Sequence, residues 1–222
     1  MTAVPPAKAD TPTELIRAGE RLLAARGIDS VSLREITRAA GQANVSALQY
    51  HFGDRTGLLR AIIAKHRADT EPHRHALLDQ YEAAGSQDYR GLASALVLPL
   101  VAKLADPDGG REYLQINCDL YTRPQSMIED LVPWSDPTNS MRRWHRLLDP
   151  LLPVDEKTVL HSRFPAIRFA FVELARRAMA PPRRDDRLFA SHITDLVAAL
   201  LTAPPTEETV RLMNERRSSS GS

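Results

Sequence analysis

Apolar residues recur along this chain at spacings of three and four. Leu15, Ala18, Leu22 and Ala25 line one face of a first stretch, widened by Ile16 and Leu23. Leu33, Ile36 and Ala40 follow, then Val45 and Leu48, then Leu58, Leu59, Ile62 and Ile63. Beyond Gly85 the period stays helical and no strand-like alternation sets in, so the pattern predicts an all-α chain. Prolines and glycines divide the later part into helices near 88–105, 110–123, 138–148, 155–179 and 185–202. A long helix from about Arg55 to Ala84 comes before them, and Pro72 predicts a kink or break near Glu71.

The first helices carry explicit start and stop signals. Thr11-Pro12-Thr13-Glu14 combines a cap, an early proline and a capping-box glutamate, and Gly27 ends that helix. Ser32 and Glu35 form a second capping box, with Arg34 and Arg38 pointing away from the apolar face and Gly41 as terminator. Asn44 offers the next cap. Ser46, Gln49 and Tyr50, lying around the inward pair Val45 and Leu48, are side chains of the kind that contact base edges and phosphates. Two short helices joined by a tight turn in this way form a helix-turn-helix, whose second helix belongs in a DNA major groove. The expected division is a flexible arm over 1–9, a three-helix DNA-binding domain over 10–54, a larger helical domain over 55–203, and a disordered tail over 204–222.

From about Thr11 to Ile63 the chain resembles the DNA-binding domain of the TetR/AcrR family of transcriptional regulators. The resemblance rests on Ala25–Gly27, Val31–Ile36, Ala39–Gly41 and above all the run YHFGDRTGLL at Tyr50–Leu59. The turn Gly41-Gln42-Ala43-Asn44 is one residue longer than the family's common form, and Tyr50 stands two residues before Phe52 rather than three. The resemblance implies that Arg55 and Thr56, at the start of the long helix, lie against the DNA backbone, where free amides suit a phosphate. The full DNA-facing set expected is Arg34, Gln42, Asn44, Ser46, Ala47, Gln49, Tyr50, His51, Arg55 and Thr56, with Phe52 sealing the head.

Composition alters this picture only slightly. With 222 residues the chain has room for a small head and one larger domain. The net charge of +1 does not announce a nucleic-acid binder. Nine Lys/Arg against six acids between Asp10 and Arg67 give a basic bias of the right sign. Cys118 is the one cysteine, which excludes an intramolecular disulfide, and it reads as a small buried apolar group. The amino terminus lacks a secretory apolar segment and no apolar run reaches bilayer length, so a cytoplasmic protein without membrane contact is expected.

For the larger domain, the resemblance implies a small, largely apolar effector and a homodimer. Candidate ligand-binding residues are Leu96, Leu100, Tyr113, Asn117, Tyr121, Trp134, Trp144, His145, Phe164 and Arg168, with Arg168 the candidate for an anionic head group. Pairing with a second copy is expected through Thr158–Met179 and Leu188–Leu201, which combine apolar faces with small residues. The implied function is a ligand-responsive regulator, a repressor released from a palindromic double-stranded operator. Two alternatives stand beside it. One is a dimeric DNA-binding protein without a ligand. The other is a helical enzyme using His145 or His161, for which no G-x-S-x-G, P-loop, dinucleotide fingerprint or H-E-x-x-H is present. No cofactor is implied. His66, Asp69, His73 and His75 cluster near Pro72, but the proline spoils ligand geometry and they read as a solvated polar face, with no metal.

Overall fold

A computed structural model describes residues 10–85, 87–132, 135–153, 160–161 and 163–220, and among these it is helical throughout, without strands. The expected arm over 1–9 and Trp134 lie outside the described residues. Helix α1 (Thr11–Arg26) is capped by Asp10, whose side chain accepts from the Thr13 amide, rather than by Thr11. Its buried stripe centres on Leu15, Ala18, Gly19 and Leu23, and Ala25 is exposed. Helix α2 (Leu33–Ala39) begins with the reciprocal capping box of Ser32 and Glu35. These bonds hold the Glu35 carboxyl down at about 2, the Ser32 amide contributing most and Arg26 next.

Helix α3 (Ser46–Phe52) starts one residue later than expected. Val45 occupies the cap position, while Asn44 accepts from the Ser46 amide in the preceding turn. Helix α4 (Arg55–Ala83) then runs unbroken through Pro72, so of the kink or break expected there the break is absent. A proline inside a helix removes one bond, and packing along the rest of the helix holds it together. Nine of its residues between Leu58 and Tyr81 are buried, enough to hold one continuous helix.

The larger domain adds α5 (Tyr89–Val101), a 3-10 turn (Ala102–Leu104), α6 (Gly110–Tyr121), α7 (Gln125–Leu131), α8 (Ser140–Leu148), α9 (Arg163–Met179), α10 (Arg187–Thr202) and α11 (Glu207–Ser220). The disorder expected beyond 203 is therefore replaced by a helix, α11, on which Met213 is buried. Its start has a Thr206 side-chain bond to the Thr209 amide, and Arg211 bridges Glu208 and Glu215 one turn either side. Helix α7 falls in a stretch between two prolines that the periodicity leaves unassigned.

Among the described residues two apolar clusters form the core. One joins α4, α5, α6, α8, α9 and α10 around Leu96, Leu100, Trp144, Ile167 and Leu174. The other fills the three-helix head and extends across the expected boundary at 54/55. Leu58, Leu59, Ile62 and Ile63 of α4, Ile116 and Leu120 of α6, and Leu131 of α7 all belong to one cluster with Leu15, Ile36 and Leu48. The head therefore sits on a shared apolar seam, and polar ties reinforce it. Asp119 accepts from the Ile28 amide at 2.8 Å, Arg123 reaches Asp29 at 2.8 Å, and Arg60 donates to the Asp130 carbonyl.

Candidate DNA-reading head and effector cavity

On α3 only Leu48 is fully buried, and most of the other side chains of this short helix turn outward. Ser46, Gln49, Tyr50 and His51 are exposed, as are Arg34 and Asn44, while Gln42, Ala47 and Thr56 are half-buried. Tyr50 is 86% exposed, far too open for a core residue, and it meets His51 edge to face. Phe52 is half-buried against the head cluster. The angle at which α4 leaves α3 depends on Gly57. A Cβ there would lie 1.8 Å from the Phe52 carbonyl oxygen, so only glycine lets the two helices meet this closely. Asp54 caps α4 by accepting from the Gly57 amide at 2.8 Å.

Arg55 departs from the DNA-facing set expected of it. Its guanidinium turns inward and donates to the carbonyls of Ile28 and Val31, tying α4 to the loop between α1 and α2. It braces the head, because a planar fork can satisfy two half-buried carbonyls at once.

Residues 15–62 match the sequence model for bacterial regulatory proteins of the tetR family. This part of the chain is a tetR-family helix-turn-helix domain. Among curated proteins nothing matches the chain. Among solved structures, a Rhodococcus sp. protein described as a TetR-family transcriptional regulator superposes with a TM-score of 0.48 at 15% identity, over 86% of this chain and 98% of that one.

Behind the tetR head, a cavity of about 130 Å³ opens between α4, α5, α6, α7, α8 and α9. Seven of the expected ligand residues lie in its wall: Leu100, Tyr113, Asn117, Tyr121, His145, Phe164 and Arg168. Leu96 and Trp144 do not. Both are wholly buried in the body core, and the Trp144 indole donates to the Leu92 carbonyl at 2.8 Å. A tryptophan whose one donor is satisfied within the core has no need of a ligand. Arg168 is exposed, at the rim, and its Nε donates to the Tyr121 carbonyl.

The buried cation of the wall is Arg74, which periodicity could not distinguish from any other arginine on a long helix. It is 4% exposed. Burial is the main cause lowering its pKa, opposed in part by Glu71. Tyr121 stacks on Phe171, with centroids 4.1 Å apart, and burial pushes its hydroxyl up to about 12, so it stays a neutral donor. His145 is pulled down to about 4, chiefly by burial and then by Arg163. Cys118 is half-buried rather than fully enclosed, and burial raises its thiol.

His66, expected on a solvated face, is wholly buried. Its Nε2 is 2.8 Å from Glu20 of α1, and its Nδ1 is 3.7 Å from Asp106. Asp69 instead pairs with Lys103, and His73 is exposed. Among the described residues no group of three or more His, Cys, Asp or Glu is placed to hold a metal ion. No single helix among them is long and apolar enough to cross a membrane.

Proposed function

We propose that this protein is a dimeric transcriptional repressor that binds a near-palindromic double-stranded DNA operator and releases it when a small, largely apolar effector enters the cavity. The observation that carries the reading is the outward face of α3. Ser46, Gln49, Tyr50 and His51 stand clear of the head core on a tetR-family domain, with Tyr50 left almost entirely in water. Arg34 and Asn44 flank that face, and Gln42, Ala47 and Thr56 border it. Arg55 supports it from behind.

Dimerisation is supported by Val172 and Met179 on α9 and Leu188, Leu196 and Leu200 on α10, apolar side chains that a monomer leaves in water. They fall within the segments expected to pair, Thr158–Met179 and Leu188–Leu201, of which residues 158–159 and 162 lie outside the described residues. Two heads in such a dimer meet successive major-groove faces when about 34–36 Å apart. An effector that favours a different separation by roughly 1–3 kcal/mol changes DNA affinity about 5–150-fold.

Selection from a randomised duplex library, followed by sedimentation of the purified protein, tests the reading. An enriched inverted repeat bound by a dimer is expected. The pair Ser46→Ala and Gln49→Ala should lose that enrichment while still sedimenting as a dimer. A monomer, or a library that shows no enrichment, would sink the proposal.

A further inference from the structure

The effector cavity has a charge imbalance at its wall. Arg74 donates through Nε to the Ala95 carbonyl at 3.1 Å and through Nη1 to the Ser140 hydroxyl at 2.8 Å. Among the described residues its nearest carboxylate is Glu71, 3.9 Å from Nη1. That carboxylate is already engaged. One oxygen takes Arg67 Nε at 3.1 Å, and the other accepts from the Ser140 amide at 2.6 Å. Arg67 has a second, more distant partner in Asp136 at 3.6 Å. Arg74 thus shares one carboxylate with another arginine, and among the described residues its Nη2 has no partner.

The wall as a whole contains four arginines and two glutamates among the described residues. Arg123 is neutralised by Asp29 and Asp119, and Arg168 and Glu129 lie at the exposed rim. What remains inside is one incompletely balanced guanidinium facing a space bounded by Leu100, Ile167, Phe171 and Phe164 together with neutral polar residues such as Thr70, Asn117 and Asn139. A buried cation without a full counter-charge is unfavourable until an anion joins it.

We infer that the effector is an organic monocarboxylate whose acid group pairs with Arg74 and whose ring or short alkyl body fills the space beside Tyr121 and Phe171. A guanidinium with a free nitrogen suits a carboxylate oxygen in geometry and charge. A dianion such as a phosphate monoester would bring a second charge that only the exposed rim residue Arg168 could meet, because Arg67 and Arg123 already face carboxylates. The cavity volume of about 130 Å³ suits a body of single-ring size, since engineered apolar cavities of roughly 150 Å³ take up benzene. The inference rests on the effector-cavity reading above and specifies the ligand's chemistry.

Titration calorimetry of the full chain with benzoate, phenylacetate and octanoate, each against its primary amide, tests the inference without DNA. At least one acid should bind ten times more tightly than its amide. Arg74→Met should cost that acid tenfold or more and leave the amide within twofold. Should Arg74→Met fail to fold, Glu71→Gln supplies the second readout: removing the competing carboxylate should tighten acid binding several-fold. Equal binding of acid and amide, no binding by any acid, or an unchanged or weakened affinity in Glu71→Gln would overturn the inference. DNA release, measured separately, keeps the two failures apart. Acid binding that leaves operator affinity unchanged removes the repressor reading but keeps the site. Release by an amide alone does the opposite.

Discussion

The imidazole of His66 lies flat against the phenol ring of Tyr113, with centroids 4.4 Å apart and planes 25° from parallel. Tyr113 is part of the cavity wall, and the Nε2 edge of the same imidazole reaches Glu20 of α1 at 2.8 Å. The histidine therefore connects the cavity to the first helix of the DNA-binding head. Lys65 completes the arrangement, with Nζ 3.0 Å from both Glu20 oxygens and 2.7 Å from the Asp108 carbonyl.

Glu20 is the centre of that network and is almost wholly buried. Glu20→Gln keeps its shape but removes the buried carboxylate that Lys65 and His66 share, leaving them Asp108 at 3.3 Å and Asp106 at 3.7 Å. Removing one partner of a buried ion pair typically costs 3–5 kcal/mol, and the partial exposure of Lys65 lowers the expectation to about 2–4 kcal/mol. Urea unfolding should show the loss as a lower midpoint at unchanged slope.

Gly109 packs on the same carboxylate. Its φ of 83° is left-handed, and a Cβ there would lie 2.3 Å from a Glu20 oxygen. Gly109→Ala should therefore destabilise the fold by about 1–3 kcal/mol, through backbone strain and displacement of Glu20. Combined with Glu20→Gln, its effect should be less than additive, because both changes disturb one contact.

Arg55 separates bracing from DNA contact. Arg55→Lys keeps the charge, but one ammonium cannot serve both the Ile28 and Val31 carbonyls as the fork does. A stability loss of about 1–2 kcal/mol is expected, visible as a lower melting temperature without any DNA present. Unchanged melting together with weakened DNA binding would return Arg55 to the phosphate-contacting set.

His145 sets an acid limit on stability. Its folded pKa is about 4, below the ordinary value of 6.5, so the unfolded chain takes up its proton first as pH falls. Its contribution is complete above about pH 6.5 and is lost progressively down to about pH 4. Each tenfold difference in proton affinity between the two states is worth roughly 1.4 kcal/mol, which limits the whole effect to about 3 kcal/mol. Urea midpoints at pH 7.5 and 5 should differ more in the wild type than in His145→Gln, and equal differences would remove His145 from the account.

Local signals carried most of the head. The Ser32–Glu35 capping box, Gly27 as terminator and the outward side chains of α3 all follow from residues within one or two turns of each other, where hydrogen bonding and period decide the outcome. The same logic left open a break at Pro72 and expected disorder beyond Ala203, and helix is found at both places. A local breaker does not reveal the packing that overrides it, and a polar helix such as α11 has too little apolar period to be recognised.

What the chain determined by itself was its helical character, its division into a head and a body, and the outward set on α3. Those properties depend on neighbours in sequence. Which arginine is buried, which aromatic lines a cavity and which completes a core were settled only by tertiary packing. Arg74, Arg168, Trp144 and Tyr121 have much the same helical setting in sequence. They differ in whether a distant helix supplies a hydrogen-bond partner, leaves a gap, or leaves them in water.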